Sequence, residues 1–185
     1  NEVFLGRLTK SSPVYPPAWS AAPRDPRDPS NGDIPDDRPR PSFARIVGSA
    51  PPLAKAMQTA RTYGRKEGNI LILGETGTGK ELFARAIHDE GRRANGPFVT
   101  VNCAAIPLEL AESELFGYER GAFTGARTEG HPGKFEMAHP GTIFLDEINS
   151  MPLPIQGKIL RVVETKRVTR INGKREIPVD VRIIA

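Results

Sequence analysis

The chain has 185 residues, of which 38% are hydrophobic and 26% charged, a composition typical of one soluble globular domain. A net charge of +4, from 26 basic and 22 acidic residues, does not by itself indicate a nucleic-acid surface. The longest aliphatic run is 70–73, far short of the roughly 20 residues of a membrane-spanning helix. The single cysteine, Cys103, excludes an internal disulfide. We therefore expect a cytoplasmic protein without a membrane partner.

Proline divides the chain into two parts. Nine of the 18 prolines lie within residues 11–41, where aliphatic residues are almost absent. Such a segment cannot bury enough apolar surface to offset the entropy of ordering it, so 1–42 is predicted to be a disordered, Pro-rich linker. The chain begins with Asn1 and stops in a strand-like run at Ala185. We expect a fragment of a longer protein whose domain is incomplete at its C-terminal end.

Helical and strand patterns alternate over 43–185. Apolar spacing predicts helices near 53–63, 82–87, 108–116 and 155–163, and short apolar runs predict strands at 70–73, 98–101, 142–145 and 179–185. Asn172-Gly173 predicts a hairpin with strands 168–171 and 174–177. The alternation indicates an α/β domain with a mainly parallel sheet flanked by helices.

A glycine-rich loop lies between the first buried strand and the next helix. Its sequence fits G-x-x-x-x-G-K and reads Gly74-Glu75-Thr76-Gly77-Thr78-Gly79-Lys80. Glycines let successive backbone N–H groups point at phosphate oxygens, and Lys80 reaches the terminal phosphates, so this phosphate loop (74–80) predicts nucleotide binding. Glu81 stands where Ser or Thr usually contacts magnesium. Its carboxylate could approach the ion, directly or through water, or could cap the helix.

Two acidic residues end the apolar strand at 142–145. Ligands collect beyond the carboxyl ends of parallel strands, which favours a position for Asp146 and Glu147 near the phosphate loop. Asp146 is predicted to hold Mg²⁺, and Glu147 is predicted to act as general base on an attacking water. The alternative is that both acids only begin the next helix, where negative charge is favoured.

Glycines also bracket an aromatic residue further along the chain. This Phe123 loop (121–126) reads Gly121-Ala122-Phe123-Thr124-Gly125-Ala126. The glycines allow a sharp turn that presents Phe123 at a loop tip. A hairpin insert whose phenylalanine packs inward explains the same residues.

Three motifs occur in order: G-E-T-G-T-G-K-E (74–81), G-A-F-T-G-A (121–126) and G-T-I-F-L-D-E (141–147). Together they resemble the central AAA+ domain of bacterial enhancer-binding proteins, the P-loop ATPases that activate sigma-54 RNA polymerase. The resemblance covers 43–185, and G-A-F-T-G-A is not shared by AAA+ proteins in general. The family usually carries Glu at position 81.

The resemblance implies rings, typically hexamers, that bind ATP and Mg²⁺ between neighbours. Hydrolysis would move the Phe123 loop, which engages the sigma-54 holoenzyme and opens the closed promoter complex. Asn102 matches the asparagine that holds the catalytic glutamate inactive, although a hydrogen-bonding corner is the simpler explanation. Ile46 and Val47 resemble the segment against adenine.

Family members continue with a sensor residue, arginine fingers, a helical lid and usually a DNA-binding helix-turn-helix. The isolated chain is therefore expected to bind nucleotide weakly and hydrolyse ATP poorly, whereas the full-length protein would be the activator.

Two other functions stay open. One is a regulatory module that senses nucleotide without hydrolysing it. The other is a kinase for a small molecule, in which the Phe123 loop has no role. His88, His131 and His139 lack a recurrent metal-ligand spacing and are expected to be scattered surface residues rather than a zinc site.

Overall fold

A computed structural model describes residues 3–8 (main chain only), 43–123 and 129–185. Within these ranges, the strands are β1 Val3–Leu8, β2 Ile70–Gly74, β3 Phe98–Asn102, β4 Gly117–Tyr118, β5 His131–Pro132, β6 Thr142–Asp146, β7 Arg167–Thr169, β8 Glu176–Pro178 and β9 Arg182–Ile184. The helices are α1 Pro51–Gly64, α2 Lys80–Asp89, α3 Leu108–Phe116, α4 Lys134–Met137 and α5 Leu153–Thr165, with 3₁₀ turns at Phe43–Arg45 and Ile148–Ser150.

The central sheet is parallel and has the strand order β1-β2-β9-β6-β3. Because all five strands run the same way, the carboxyl ends of β2, β3 and β6 lie at one edge. Register pairs Asn102 with Asp146 at that edge. The parallel sheet with flanking helices confirms the predicted α/β class, and it positions the residues that end these strands near one another.

Helices bury both faces of the sheet. One core cluster contains Leu115, Phe135, Ile143, Leu145 and Ile159, from α3, α4, β6 and α5. The other contains Phe43, Ala60, Ile72, Phe83, Ile87, Phe144 and Ile184. Residues 142–145 of β6 are all buried, as expected for a parallel strand covered on both sides. Packing on both faces therefore fixes the end of β6, where the two acidic residues lie.

The N-terminal segment contributes one described strand. β1 pairs in parallel with β2 at the edge of the sheet, with Val3 opposite Ile70. Because residues 3–8 pair with β2, they do not fit the expectation that all of 1–42 is a disordered linker. Residues 9–42 lie outside the described residues, so for them the linker assignment stays a prediction. In the described ranges, we find no helix long and apolar enough to cross a membrane.

The hairpin is present but shorter than predicted. β7 and β8 pair Val168 with Ile177, whereas Ile171 leaves the hairpin. Its N–H donates to the carbonyl of Gly117 at 2.9 Å, and its carbonyl accepts from the N–H of Glu119 at 3.0 Å. These bonds to the region of β4 replace the hairpin pairing that Asn172-Gly173 favours.

One histidine expectation is wrong. His88 is 3% exposed and therefore is not a surface residue. Its Nδ1 lies 3.0 Å from the hydroxyl oxygen of Thr142, and the centroid of its ring lies 5.0 Å from that of the Phe98 ring. Partners on two sheet strands hold His88 inside the domain, where it joins α2 to the sheet.

Candidate functional site

The phosphate loop connects β2 to the N-terminus of α2. Gly77 and Gly79 have φ values of 79° and 86°, in the left-handed region that glycine adopts without steric cost. α2 begins at Lys80, and the N–H of Phe83 donates to the carbonyl of Gly79 at 3.2 Å. The partial positive charge of a helix N-terminus favours anions, so the local geometry suits a phosphate group.

The ammonium group of Lys80 lies between the loop and the end of β6. Its Nζ donates to the carbonyls of Gly74 at 3.2 Å and Glu75 at 3.4 Å. It also donates to Glu147 Oε1 at 3.2 Å and lies 3.9 Å from Asp146 Oδ1. Only 12% of the Lys80 side chain is exposed. The structure thus brings the lysine and both carboxylates together, as the two sequence motifs predict.

Glu147 has an unusual backbone conformation, and its carboxylate accepts hydrogen bonds from two side chains. Its φ of 52° and ψ of 43° are left-handed, and its N–H donates to Asp146 Oδ1 at 3.1 Å. Its Oε1 accepts from Thr76 Oγ1 at 2.9 Å and from Lys80. These hydrogen bonds, from Thr76 foremost, and the charge of Lys80 lower the pKa of Glu147. The carboxylate is therefore ionised at neutral pH, the state that a general base requires.

The carboxylate of Asp146 is the candidate magnesium ligand. Its side chain is 31% exposed, and its main-chain carbonyl accepts from the N–H of Cys103 at 2.9 Å, which anchors the strand end. Across the described ranges, no group of three or more His, Cys, Asp and Glu side chains is arranged to hold a metal ion. Mg²⁺ commonly binds through one or two carboxylates together with substrate phosphates and water, so Asp146 fits it. Glu81 is exposed in the first turn of α2.

Asn102 lies opposite Asp146 but bonds within its own turn. Its Oδ1 accepts from the N–H groups of Ala104 at 3.0 Å and Ala105 at 3.2 Å. This arrangement is the hydrogen-bonding corner, whereas Glu147 is held by Thr76 and Lys80. A role for Asn102 in controlling Glu147 stays a prediction.

The candidate adenine segment lies beside α2. Phe43 is buried, and its ring lies edge-to-face with that of Phe83 at a centroid distance of 6.0 Å. The N–H of Ile46 donates to the carbonyl of Phe43 at 3.1 Å. Ile46 packs on the core, whereas Val47 is 79% exposed. Val47 is therefore accessible to a base, while Ile46 anchors the segment.

The described part of the Phe123 loop, 121–123, follows the first strand of a short antiparallel pair. β4 and β5 form its base, with Tyr118 opposite His131. The ring of Phe123 lies edge-on to the ring of Tyr118, with 5.0 Å between their centroids, and Phe123 remains 43% exposed. Gly121 has a φ of 71°, and Ala122 is half-buried. The predicted positions Thr124, Gly125 and Ala126 lie outside the described residues.

A salt-bridge cluster ties the base of this loop to its neighbours. Arg170 donates to both carboxylate oxygens of Glu136 in α4 at 2.8 Å and approaches Glu119 at 3.5 Å. Its bond to Glu136 raises the pKa of Arg170. No local sequence pattern indicates these contacts, because the partners are 34 and 51 residues apart. The same holds for the bond between Thr76 and Glu147, which are 71 residues apart.

Comparison with known proteins identifies the family. Residues 46–185 match the sigma-54 interaction domain. The chain belongs to this family, the AAA+ domain of sigma-54-dependent transcriptional activators. A protein named limonene hydroxylase from Geobacillus stearothermophilus is 54% identical over 151 residues, which cover 82% of this chain and 28% of that protein. The DNA-binding transcriptional regulator NtrC of Bradyrhizobium is 51% identical over 140 residues, which cover 76% of this chain and 29% of that protein.

A solved structure shares the fold. NtrX from Brucella abortus in complex with ATP superposes with a TM-score of 0.66 at 43% identity, over 75% of this chain and 29% of NtrX. This chain therefore spans less than a third of the length of each of these three proteins.

Proposed function

We propose that the full-length protein is an ATP-hydrolysing activator of sigma-54-dependent transcription and that this chain carries its nucleotide site. The observation that carries the proposal is the convergence of the Lys80 ammonium on Glu147 and Asp146, at 3.2 and 3.9 Å, beside the N-terminus of α2. The NtrX structure in complex with ATP supports nucleotide binding at this fold. NtrC, a relative named as a transcriptional regulator, supports the role in transcription.

Nucleotide binding follows from the geometry of the phosphate loop. Its N–H groups and the positive end of α2 attract phosphate oxygens, and Lys80 supplies a full positive charge beside them. Val47 is exposed and can contact the base, while Ile46 anchors its segment to the core. The phosphates meet a lysine that already bonds Glu147, so binding must rearrange that ion pair.

Hydrolysis is assigned to the two carboxylates. Glu147 accepts a proton from a water molecule as the water oxygen bonds to the γ-phosphorus, and the bond from that phosphorus to the bridging oxygen breaks to release ADP and phosphate. Asp146 holds Mg²⁺, which when bound offsets the negative charge of the phosphates. Lys80 holds the terminal phosphates in position for attack.

The Phe123 loop is assigned to contact with sigma-54. Phe123 is half-exposed at a loop whose base is bonded to Ile171, and Arg170 links Glu119 at that base to Glu136 of α4. A change at the nucleotide site can reach the loop through these contacts, because α4 precedes β6 and packs in the core beside it. We further propose a ring, typically a hexamer, and DNA binding through another part of the full-length protein.

A transcription assay with the full-length protein tests this function. We expect Phe123→Ala to hydrolyse ATP but to open few promoter complexes of the sigma-54 holoenzyme, and Glu147→Gln to do neither. We expect Lys80→Ala to lose nucleotide binding. Lys158→Ala is its matched control and should keep it, because Lys158 is an exposed lysine of α5 that pairs with Glu112. Activation that survives Glu147→Gln would favour the non-hydrolysing nucleotide sensor, and phosphate transfer to a metabolite would favour a kinase.

A further inference from the structure

One carboxylate oxygen of Glu147 has both its donors in the phosphate loop. Thr76 Oγ1 donates to Oε1 at 2.9 Å, and Lys80 Nζ donates to the same atom at 3.2 Å. Thr76 is exposed, and a quarter of the Glu147 side chain is exposed. The carboxylate proposed to activate water is therefore bound to the loop proposed to hold the phosphates.

Lys80 cannot keep all its bonds when a phosphate arrives. An ammonium group has three donors, and these are directed at the carbonyls of Gly74 and Glu75 and at Glu147. A terminal phosphate must displace at least one of these acceptors. Glu147 is the acceptor that repels the phosphate, because both carry negative charge. Once Lys80 turns to the phosphate, the bond from Thr76 alone opposes the repulsion that drives Glu147 away from the loop.

We propose that Thr76 is a positioning residue, which holds Glu147 against the phosphate loop in the nucleotide-free protein and gives it up when phosphates engage Lys80. This inference rests on the proposed function, since it requires phosphates at Lys80. It assigns to Thr76 a role in restraining the general base that is separate from any contact with nucleotide.

The proposal predicts that losing the Thr76 hydroxyl strengthens nucleotide binding. The hydroxyl stabilises only the nucleotide-free arrangement, so its removal shifts the equilibrium toward the state that binds phosphate. Because the bond is solvent-exposed, its net contribution is at the low end for hydrogen bonds. We expect Thr76→Val to lower the Kd for ADP by about two- to fivefold. Thr76→Ser keeps the hydroxyl and should bind ADP like the unchanged protein.

A double-mutant cycle on the full-length protein provides the test, with ADP and Mg²⁺ as the probe so that hydrolysis does not intervene. Affinities are measured by isothermal titration calorimetry for Thr76→Val, Glu147→Ala and the double variant. If Thr76 acts through Glu147, the double variant binds ADP no more tightly than Glu147→Ala alone. Unchanged or weaker ADP binding by Thr76→Val, or an equal effect with and without Glu147, would overturn the proposal.

Two controls separate this inference from the proposed function. Thr78→Val removes another loop hydroxyl, one that donates to the carbonyl of Glu75 at 2.7 Å, and should not tighten binding. Tightening by Thr78→Val equal to that by Thr76→Val would count against a specific restraint. Lys80→Ala should abolish ADP binding. If it does so while Thr76→Val fails to tighten binding, only the role of Thr76 is wrong; if ADP binding persists, the nucleotide site itself is wrong.

Discussion

Two glycines permit a matched test of the phosphate-loop conformation. Gly79 has a φ of 86° and a ψ of 24°, and among the described residues a Cβ added there would come closest to Leu82 Cδ1, at 3.8 Å. This distance is an ordinary contact, so Gly79→Ala introduces backbone strain and no clash. An alanine in the left-handed region costs about 1–2 kcal/mol. We expect the free energy of unfolding to fall by that amount.

Gly157→Ala adds the same methyl group but should raise the free energy of unfolding. Gly157 lies within α5, and apart from its chain neighbours and the adjacent backbone of its own helix, no heavy atom of the described residues is within 4 Å of an added Cβ. Alanine in a helix interior is about 0.5–1 kcal/mol more stable than glycine. The two variants should therefore differ by about 1.5–3 kcal/mol in the free energy of unfolding.

Urea denaturation of both variants measures this difference, and ADP titration measures its functional consequence. Gly79→Ala should also weaken ADP binding, because a loop that relaxes from the left-handed conformation turns its N–H groups away from the phosphates. Gly157→Ala should leave the affinity for ADP unchanged. Equal changes in stability for the two variants would refute the left-handed conformation of the loop.

Two further predictions concern stability. Arg182 is 5% exposed and donates to the carbonyls of Tyr63, Gly64 and Gly68 at 3.1, 2.8 and 2.9 Å. Arg182→Met should leave these acceptors unpaired and lower the unfolding free energy measured in urea by about 2–4 kcal/mol. An unchanged unfolding free energy would show that water replaces the guanidinium. The hydrogen bond from Arg93 lowers the pKa of Asp180, so this bond stabilises the fold at neutral pH and is lost as pH falls below about 4. The Asp180 side chain is 63% exposed, so Asp180→Asn should reduce stability by up to about 1 kcal/mol at pH 7. A pH series of thermal unfolding should show this difference shrink progressively as the pH falls below about 4.

Local sequence signals predicted most elements of the fold. The apolar run at Ile70–Gly74, followed by glycines and an amphipathic helix, gave β2, the loop and α2 together. The position of β9 between β2 and β6 carries no such signal, because strand order depends on packing between distant segments. The departure of Ile171 from its hairpin has the same cause: its partners at 117 and 119 are more than fifty residues away.

The candidate site was predictable in its members and not in its contacts. Parallel strands end at one edge, so a phosphate loop after one strand and two acids after another were expected to meet there. The choice of Thr76 as the partner of Glu147 depends on the left-handed turn at Glu147, which no local residue pattern indicates. Asn102 illustrates the same limit, since the motif suggested a link to Glu147 whereas its Oδ1 bonds the turn at 104–105.

Hydrolysis of ATP by the full-length protein and its Glu147→Gln variant tests the central claim most directly. The substitution removes the proton acceptor and leaves Lys80 and the loop glycines in place, so ATP should still bind. At saturating ATP and Mg²⁺, we expect the hydrolysis rate to fall by a factor of about 10² or more, within the range for loss of a general base. A variant that binds ATP and hydrolyses it as fast as the unchanged protein would contradict the assignment of Glu147 and, with it, the proposed mechanism.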